Sequence, residues 1–325
     1  MKTMRHILMA GTVALFAPMA AAYAAPPADT IVVGISADAS TFDPPQISSR
    51  DNSNIASHIF GTLTSISPEG KVEPGLASSY VEAEDGLSIT YTLPSDLTCE
   101  DGEVLNAEDV AYTFTRAADP ANAFTGSTPG FVFSSIGFKG AEAISDSEVK
   151  IDIAARNPIA VSLIGEVLIH CKDSYEKMSL EDASSKPVAS GSYRLVSWDR
   201  GSQVVLEKIK EPGTFKTIIY RIIPEASTRS AELIAGNVDI ITNVAPDQVE
   251  AINGKPFELA GFDWDYSGTV SDWRGGTLDA PPGGCRMLVR FAAAKTAPGA
   301  AQDAVSGDQA FSSDDPKMRA VSPAI

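Results

Sequence analysis

Thr217-Ile218-Ile219-Tyr220-Arg221-Ile222-Ile223, the segment Thr228 to Ala235, and Val238-Asp239-Ile240-Ile241 form the stretch on which the fold class turns. The outer pieces are short apolar, strand-like runs. Between them lies a helix-length segment, with Ser227 as the expected N-cap and Gly236 ending it. Strand, helix, strand at this spacing is a compact βαβ unit, which puts the chain in the α/β class.

Outward from that unit the same alternation continues. Tyr193 to Trp198 and Gln203 to Lys208 flank Asp199-Arg200-Gly201-Ser202 and read as a hairpin with a glycine-bearing turn. Glu148 to Ile153 and Ser88 to Leu93 alternate as strands. Asn106 offers a side-chain oxygen to cap a helix from Ala107 to Phe114, where acids in the first turn meet the positive end of the helix dipole. Asn52 to Phe60 places Ile55, Ile59 and Phe60 on one helical face, with Gly61 expected to close it. Ile31 to Ile35 is a buried strand, and Pro246 restarts a short helix.

The chain has 325 residues, 44% of them hydrophobic, with 25 Lys+Arg against 42 Asp+Glu, a net charge of -17. That is too apolar for a disordered chain and too acidic for a nucleic-acid or anionic-membrane binder, because each phosphate contact needs a cation to offset it. With His6, His58 and His170 the only histidines and no Cys-x-x-Cys pair, a zinc site or a histidine-based triad has almost nothing to build on. No metal and no cofactor are expected. No Gly-x-Ser-x-Gly elbow, Walker loop or Gly-x-Gly-x-x-Gly motif is present. Asp101, Glu108 and Asp109 read as turn and helix-start residues rather than as a catalytic carboxylate pair, so no catalytic residue is assigned.

Met1 to His6 carries Lys2 and Arg5, Ile7 to Ala20 is apolar, and Ala22-Tyr23-Ala24 supplies a small-x-small cleavage pattern. Residues 1–24 therefore read as a cleaved secretory signal. No cysteine follows the apolar run, so there is no lipid acceptor, and the mature chain is expected to be soluble. At the other end the texture changes. Residues 26–253 hold 23 isoleucines, whereas residues 254–324 hold none and are rich in Gly, Ala and Pro. Two readings stand for this segment, a flexible tail or a stretch not selected to fold with the rest.

Six blocks resemble the extracellular solute-binding proteins of family 5, which serve ABC importers of dipeptides, oligopeptides, nickel and related solutes. They are Ala37-Asp38-Ala39-Ser40-Thr41-Phe42-Asp43-Pro44; Pro74-Gly75-Leu76-Ala77-Ser78-Ser79-Tyr80 with Glu84-Asp85-Gly86-Leu87; Cys99 to Val110, ending at Arg116; Ser190-Gly191-Ser192-Tyr193; Pro224-Glu225-Ala226-Ser227-Thr228-Arg229; and Leu233 to Ile240. The resemblance covers residues 29–250 and implies a two-lobed fold like the periplasmic binding proteins (type II, cluster C-like), with residues 25–253 as the first lobe and most of the second lobe missing. It further implies a monomeric, periplasmic, noncatalytic chain, peripheral to the membrane, that holds a small peptide-like solute and docks on an ABC permease without contacting nucleic acid.

Asp314-Asp315-Pro316-Lys317-Met318-Arg319-Ala320-Val321 resembles the family's next block, so residues 314–325 are expected to start the truncated second lobe. An isoleucine-free interval between two family-like blocks is what a shifted reading frame gives. Translation of the DNA for residues 255–313 in its other two frames is expected to yield family-like strands.

Loops after strands are where a solute-gripping protein presents backbone donors, hydroxyls and aromatic faces. Gln46, Ser48 and Asn52 in the loop after the first strand, Ser190, Gly191 and Ser192 before the hairpin, and Phe131 and Trp198 as stacking surfaces are the expected ligand contacts. Cys99 and Cys171, both in the family-like part, are expected to pair in an oxidising compartment, whereas Cys285 has no evident partner. Competing classes are an exported hydrolase using paired acids, a sensory or chaperone-like protein on the same fold, and a truncated product without function. Turnover, or capture of a sensor domain in place of a permease, separates the first two from a transport protein.

Overall fold

In the computed structural model the described residues are 27, 29–67, 70–252, 257–266, 269–271, 277–279 and 285–295. Residues 1–24 and 314–325, read above as an export signal and a further block, lie outside them. Along the chain run β1 (Thr30–Ile35), α1 (Arg50–Ile59), β2 (Thr64–Ile66), β3 (Val72–Pro74), β4 (Ser79–Glu82), β5 (Ser88–Thr92) and α2 (Ala107–Ala118). There follow α3 (Ser134–Ile136), β6 (Phe138–Ala143), β7 (Glu148–Ile153), α4 (Ala160–Ile164), α5 (Lys172–Tyr175) and α6 (Leu180–Ser185). The last part holds β8 (Tyr193–Asp199), β9 (Gln203–Lys208), β10 (Thr217–Ile222), α7 (Ala226–Ala235), β11 (Ile240–Thr242), α8 (Val249–Ile252), β12 (Phe257–Tyr266), β13 (Thr269–Ser271), β14 (Thr277–Asp279) and β15 (Cys285–Lys295).

Two sheets organise these elements. A seven-stranded mixed sheet has the order β12-β15-β11-β1-β10-β9-β8, and a four-stranded antiparallel sheet has the order β4-β5-β7-β6. In the larger sheet β1 pairs in parallel with both β10 and β11. The expected βαβ unit is therefore β10-α7-β11, but its two strands are not neighbours: the first strand of the chain lies between them. Five consecutive buried residues, Ile31 to Ile35, make β1 fit that place. Ile31, Val33 and Ile35 pack on one face with Ile55 and Ile59 of α1, and Val32 packs on the other with Leu233, Val238 and Ile241.

Local signals set several element ends. Asn106 caps α2 in a reciprocal box, its side chain accepting from the Glu108 amide at 2.7 Å while Asp109 accepts from the Asn106 amide at 2.8 Å. Gly236 ends α7 at φ +78°, and Gly201 turns the β8–β9 hairpin at φ +74°. Two expectations are corrected. Ser227 lies inside α7, whose N-cap is Glu225, so the helix starts earlier. Gly61 does not close α1 in the left-handed region. A Cβ there would sit 2.8 Å from Leu76, so the residue is glycine to let the chain pass that side chain.

The smaller sheet and α2 enclose a second core of Ile89, Tyr91, Val110, Phe114, Val149 and Ile151. At its border Cys99 and Cys171 are joined by a disulfide across 72 positions. The two cores are also tied by an ion pair, in which the partly buried Arg116 of α2 donates from both terminal nitrogens, at 2.7 and 3.0 Å, to the fully buried carboxylate of Asp43. Tyr175 and Phe124 flank its guanidinium.

His170 lies at the same seam, fully buried, with Tyr175 and Tyr112 ring centroids at 4.6 and 5.7 Å. Burial, with the Arg116 charge adding to it, pushes its imidazole down to about 3 from an ordinary 6.5. The folded value lies below the unfolded one, so below pH 6.5 the unfolded chain takes up a proton that the folded chain refuses. Stability is then lost as pH falls from 6.5 toward 3. Between pH 7 and pH 4 this group alone is expected to remove about 3 kcal/mol. Urea unfolding at both pH values should show that loss in the parent and a correspondingly smaller one in His170→Phe; equal losses would assign the acid limb to other groups.

Candidate functional site

Parallel strands end on the same edge of a sheet, and in open α/β sheets solutes bind outside those carboxyl ends. Here the carboxyl ends of β1, β10 and β11 form one ledge. At its centre the Asp51 carboxylate, in the first turn of α1, accepts from the Ser36 amide (3.2 Å), the Ser36 hydroxyl (2.7 Å) and the Ala37 amide (3.1 Å). Asn243, just past β11 and held at φ +53°, donates from Nδ2 to the Ser36 Oγ at 2.8 Å. Beneath them the buried guanidinium of Arg229 donates to the carbonyls of Ile223, Pro224, Thr242 and Asn243 at 2.6 to 3.2 Å. Four carbonyls at the exits of β10 and β11 thus converge on one cation, which fixes where both strands leave the sheet.

The β8–β9 hairpin turns at the same edge, because β9 runs antiparallel to β10. Its tip folds onto the loop after β1: the Trp198 Nε1 donates to Asp38 Oδ1 at 2.9 Å, and the Gly201 amide donates to Asp38 Oδ2 at 2.7 Å. Phe42 meets the Trp198 ring edge-on at 4.8 Å, and the Arg200 guanidinium stacks 3.8 Å from its centre. Trp198 is accordingly at the ledge, half-buried, with its polar atom already bound.

The other expected contacts divide. Ser48 is exposed, and Gln46 donates from its side chain to Asp43 at 2.8 Å. Phe131 is 60% exposed on the turn Thr128–Phe133, which leans on this loop through amides of Gly126 and Ser127 donating to the carbonyls of Pro45 and Ile47. Asn52 is buried and faces inward, accepting from the Ser40 amide at 3.0 Å and donating to the Thr41 carbonyl at 2.8 Å. Ser190 is buried too; its hydroxyl donates to the Ile169 carbonyl and accepts from the Gly61 amide. Gly191 donates to the Ile59 carbonyl at 2.7 Å, and a Cβ there would sit 2.8 Å from the His58 carbonyl oxygen. Ser192 accepts through its carbonyl from the Ile209 amide at 2.8 Å.

Ser190 to Ser192 adjoins the end of α1, whereas the loop of Gln46 and Ser48 precedes its start, and ten helical residues span about 15 Å. The two loops therefore lie at opposite ends of α1. Sequence reading missed Ser36, Asp38, Asp51, Arg200 and Asn243; for all but Asp51, which lies in the first turn of α1, the available signal was their position just after β1, β8 or β11. The acids weighed for catalysis have structural partners. Glu108 pairs with Lys172 at 2.9 Å, Asp109 closes the α2 cap, and Asp101 accepts from the Glu103 amide at 3.2 Å. Among the described residues no cluster of three His, Cys, Asp or Glu side chains is arranged to hold a metal.

Residues 71–275 match the family model of bacterial extracellular solute-binding proteins, family 5. The chain belongs to that family. The family match crosses residue 254, where isoleucine disappears. Among curated relatives, a probable D,D-dipeptide-binding periplasmic protein of Escherichia coli is 26% identical over 256 residues, covering 71% of this family 5 chain and 46% of the relative. A glutathione-binding protein of Escherichia coli is 26% identical over 243 residues with the same coverage. A Haemophilus influenzae oligopeptide-binding structure with a bound peptide superposes at a TM-score of 0.65 and 22% identity, over 73% of this chain and 51% of its own. That likeness carries the fold, and the family 5 chain is a mixed α/β protein of the periplasmic-binding-protein kind. It spans about half the length of the curated relatives it matches. Both relatives are named as binding proteins. No described helix of the family 5 chain is long and apolar enough to cross a membrane.

Proposed function

We propose that this chain is the solute-contacting first lobe of a periplasmic ABC-importer binding protein, which receives a peptide or peptide-like solute on the carboxyl-end ledge and presents it, as a monomer, to a membrane permease. Residues 1–24 are its export signal. The observation that carries the reading is the ledge itself: a rigid edge of hydrogen-bonded loops around Ser36, Asp38, Trp198 and Asn243, in a chain whose family serves such importers. Its chemistry is binding, in keeping with the solute-binding family to which the chain belongs.

The test is thermal unfolding of the exported chain with dialanine, glutathione and nickel–histidine in turn. A solute at a hundredfold excess over its Kd stabilises by about 2.7 kcal/mol, so one of the three is expected to raise the Tm by several degrees. No shift with any of them, or hydrolysis of the peptides, would overturn the reading.

A further inference from the structure

Arg200 is a cation at the ledge that is stacked on an aromatic ring and enters no ion pair among the described residues. Its guanidinium lies 3.8 Å over the Trp198 ring, and among the described residues no carboxylate pairs with it. Asp38, which holds the turn, spends one oxygen on the Trp198 Nε1 and the other on the Gly201 amide, and the exposed Asp199 at the end of β8 forms no ion pair with the guanidinium. In a chain with a net charge of -17, a free exposed cation at a rigid edge stands against the background field.

Stacking leaves the donors available. A guanidinium laid flat on an indole uses its π-face for the contact, while its N–H groups lie in the plane and point outward. That fork matches a carboxylate in bidentate geometry. The turn also holds the fork still. Phe42 packs edge-on against Trp198, Asp38 fixes the indole nitrogen, and the Gly201 amide anchors the turn beside Arg200. Little side-chain freedom remains to be lost when a ligand arrives.

We infer that Arg200, stacked on Trp198 and framed by Asp38, is a specificity residue that selects solutes carrying a free carboxylate at the ledge. This rests on the solute-binding reading and adds the ligand's charge class to it. The selection works against long-range electrostatics, because the acidic chain by itself draws cations.

Isothermal titration of the exported chain and of Arg200→Gln, with dialanine and with dialanine amide, tests it. The amide keeps the backbone and side chains and replaces the carboxylate, gaining net positive charge. The parent chain is expected to bind dialanine at least tenfold tighter than the amide. Arg200→Gln is expected to weaken dialanine about tenfold and to leave amide affinity within twofold, with an unchanged Tm because the side chain is exposed. Equal binding of both compounds by the parent, or a preference that survives Arg200→Gln, removes the role of Arg200 while the solute-binding reading stands. Binding of neither compound removes both.

Discussion

Replacing Arg116 by Met is expected to destabilise the chain by about 4 kcal/mol, because it strands the Asp43 carboxylate without a cation in a fully buried site. For a folded unit of this size that corresponds to a Tm lower by about 10 °C. The size of the effect follows from what each group loses. Asp43 would keep the Gln46 amide as a donor but lose two charge-assisted bonds of 2.7 and 3.0 Å. Removing the charge at both ends should be gentler. Asp43→Leu combined with Arg116→Met is expected to recover more than half of the loss, as buried pairs generally tolerate apolar replacement better than amputation. A Tm within 2 °C of the parent for Arg116→Met would show that water reaches Asp43 and that the pair does not join the two cores.

The second large effect belongs to the disulfide. Cys99 and Cys171 close a loop of 72 positions, which on the chain-entropy estimate contributes about 4 kcal/mol by restricting the unfolded ensemble. Cys99→Ala with Cys171→Ala is expected to show that loss in urea unfolding, with the slope changed because the unfolded chain expands. Mass spectrometry of the unreduced exported protein should find neither thiol free. Two alkylated cysteines at those positions would exclude the bond in the exported chain. Both sulfurs are buried beside α2, so the native chain should resist reductant until it opens.

These two links matter for function through geometry. The ion pair anchors the loop after β1, and that loop carries Asp38 and Phe42 to the ledge. A chain that lost the Asp43 anchor would be expected to let Trp198 and Arg200 drift, and preorganised contacts would become flexible ones. The buried Arg229 acts on the opposite flank, where it gathers the strand exits on which Asn243 depends. The ledge is thus a surface assembled by interior contacts.

Much of the fold was legible because the forces that set it act between near neighbours. The alternation of Val149, Ile151 and Ile153 marked a strand whose observed ends are Glu148 and Ile153. Asn106 and Asp109 fixed the start of α2 by a bond across three residues, and Gly201 and Gly236 turned the chain where a side chain would be strained. The family blocks placed the chain among solute-binding proteins for a related reason, since several of them are these same caps, turns and strand ends.

Only the tertiary structure decided which polar residues face inward and which remain free. Asn52 and Ser190 have the chemistry of ligand contacts, yet their partners, Thr41 and Ile169, take that chemistry for the fold. Arg200 sits in an ordinary turn sequence, and it becomes notable only because Trp198 meets Asp38 from 160 positions away. The strand that separates β10 from β11 likewise comes from the start of the chain. Capping and periodicity are energies of neighbouring residues and can be read along the sequence, whereas the satisfaction of a buried donor or the freedom of a charge depends on which distant segments the closed chain brings within 3 Å.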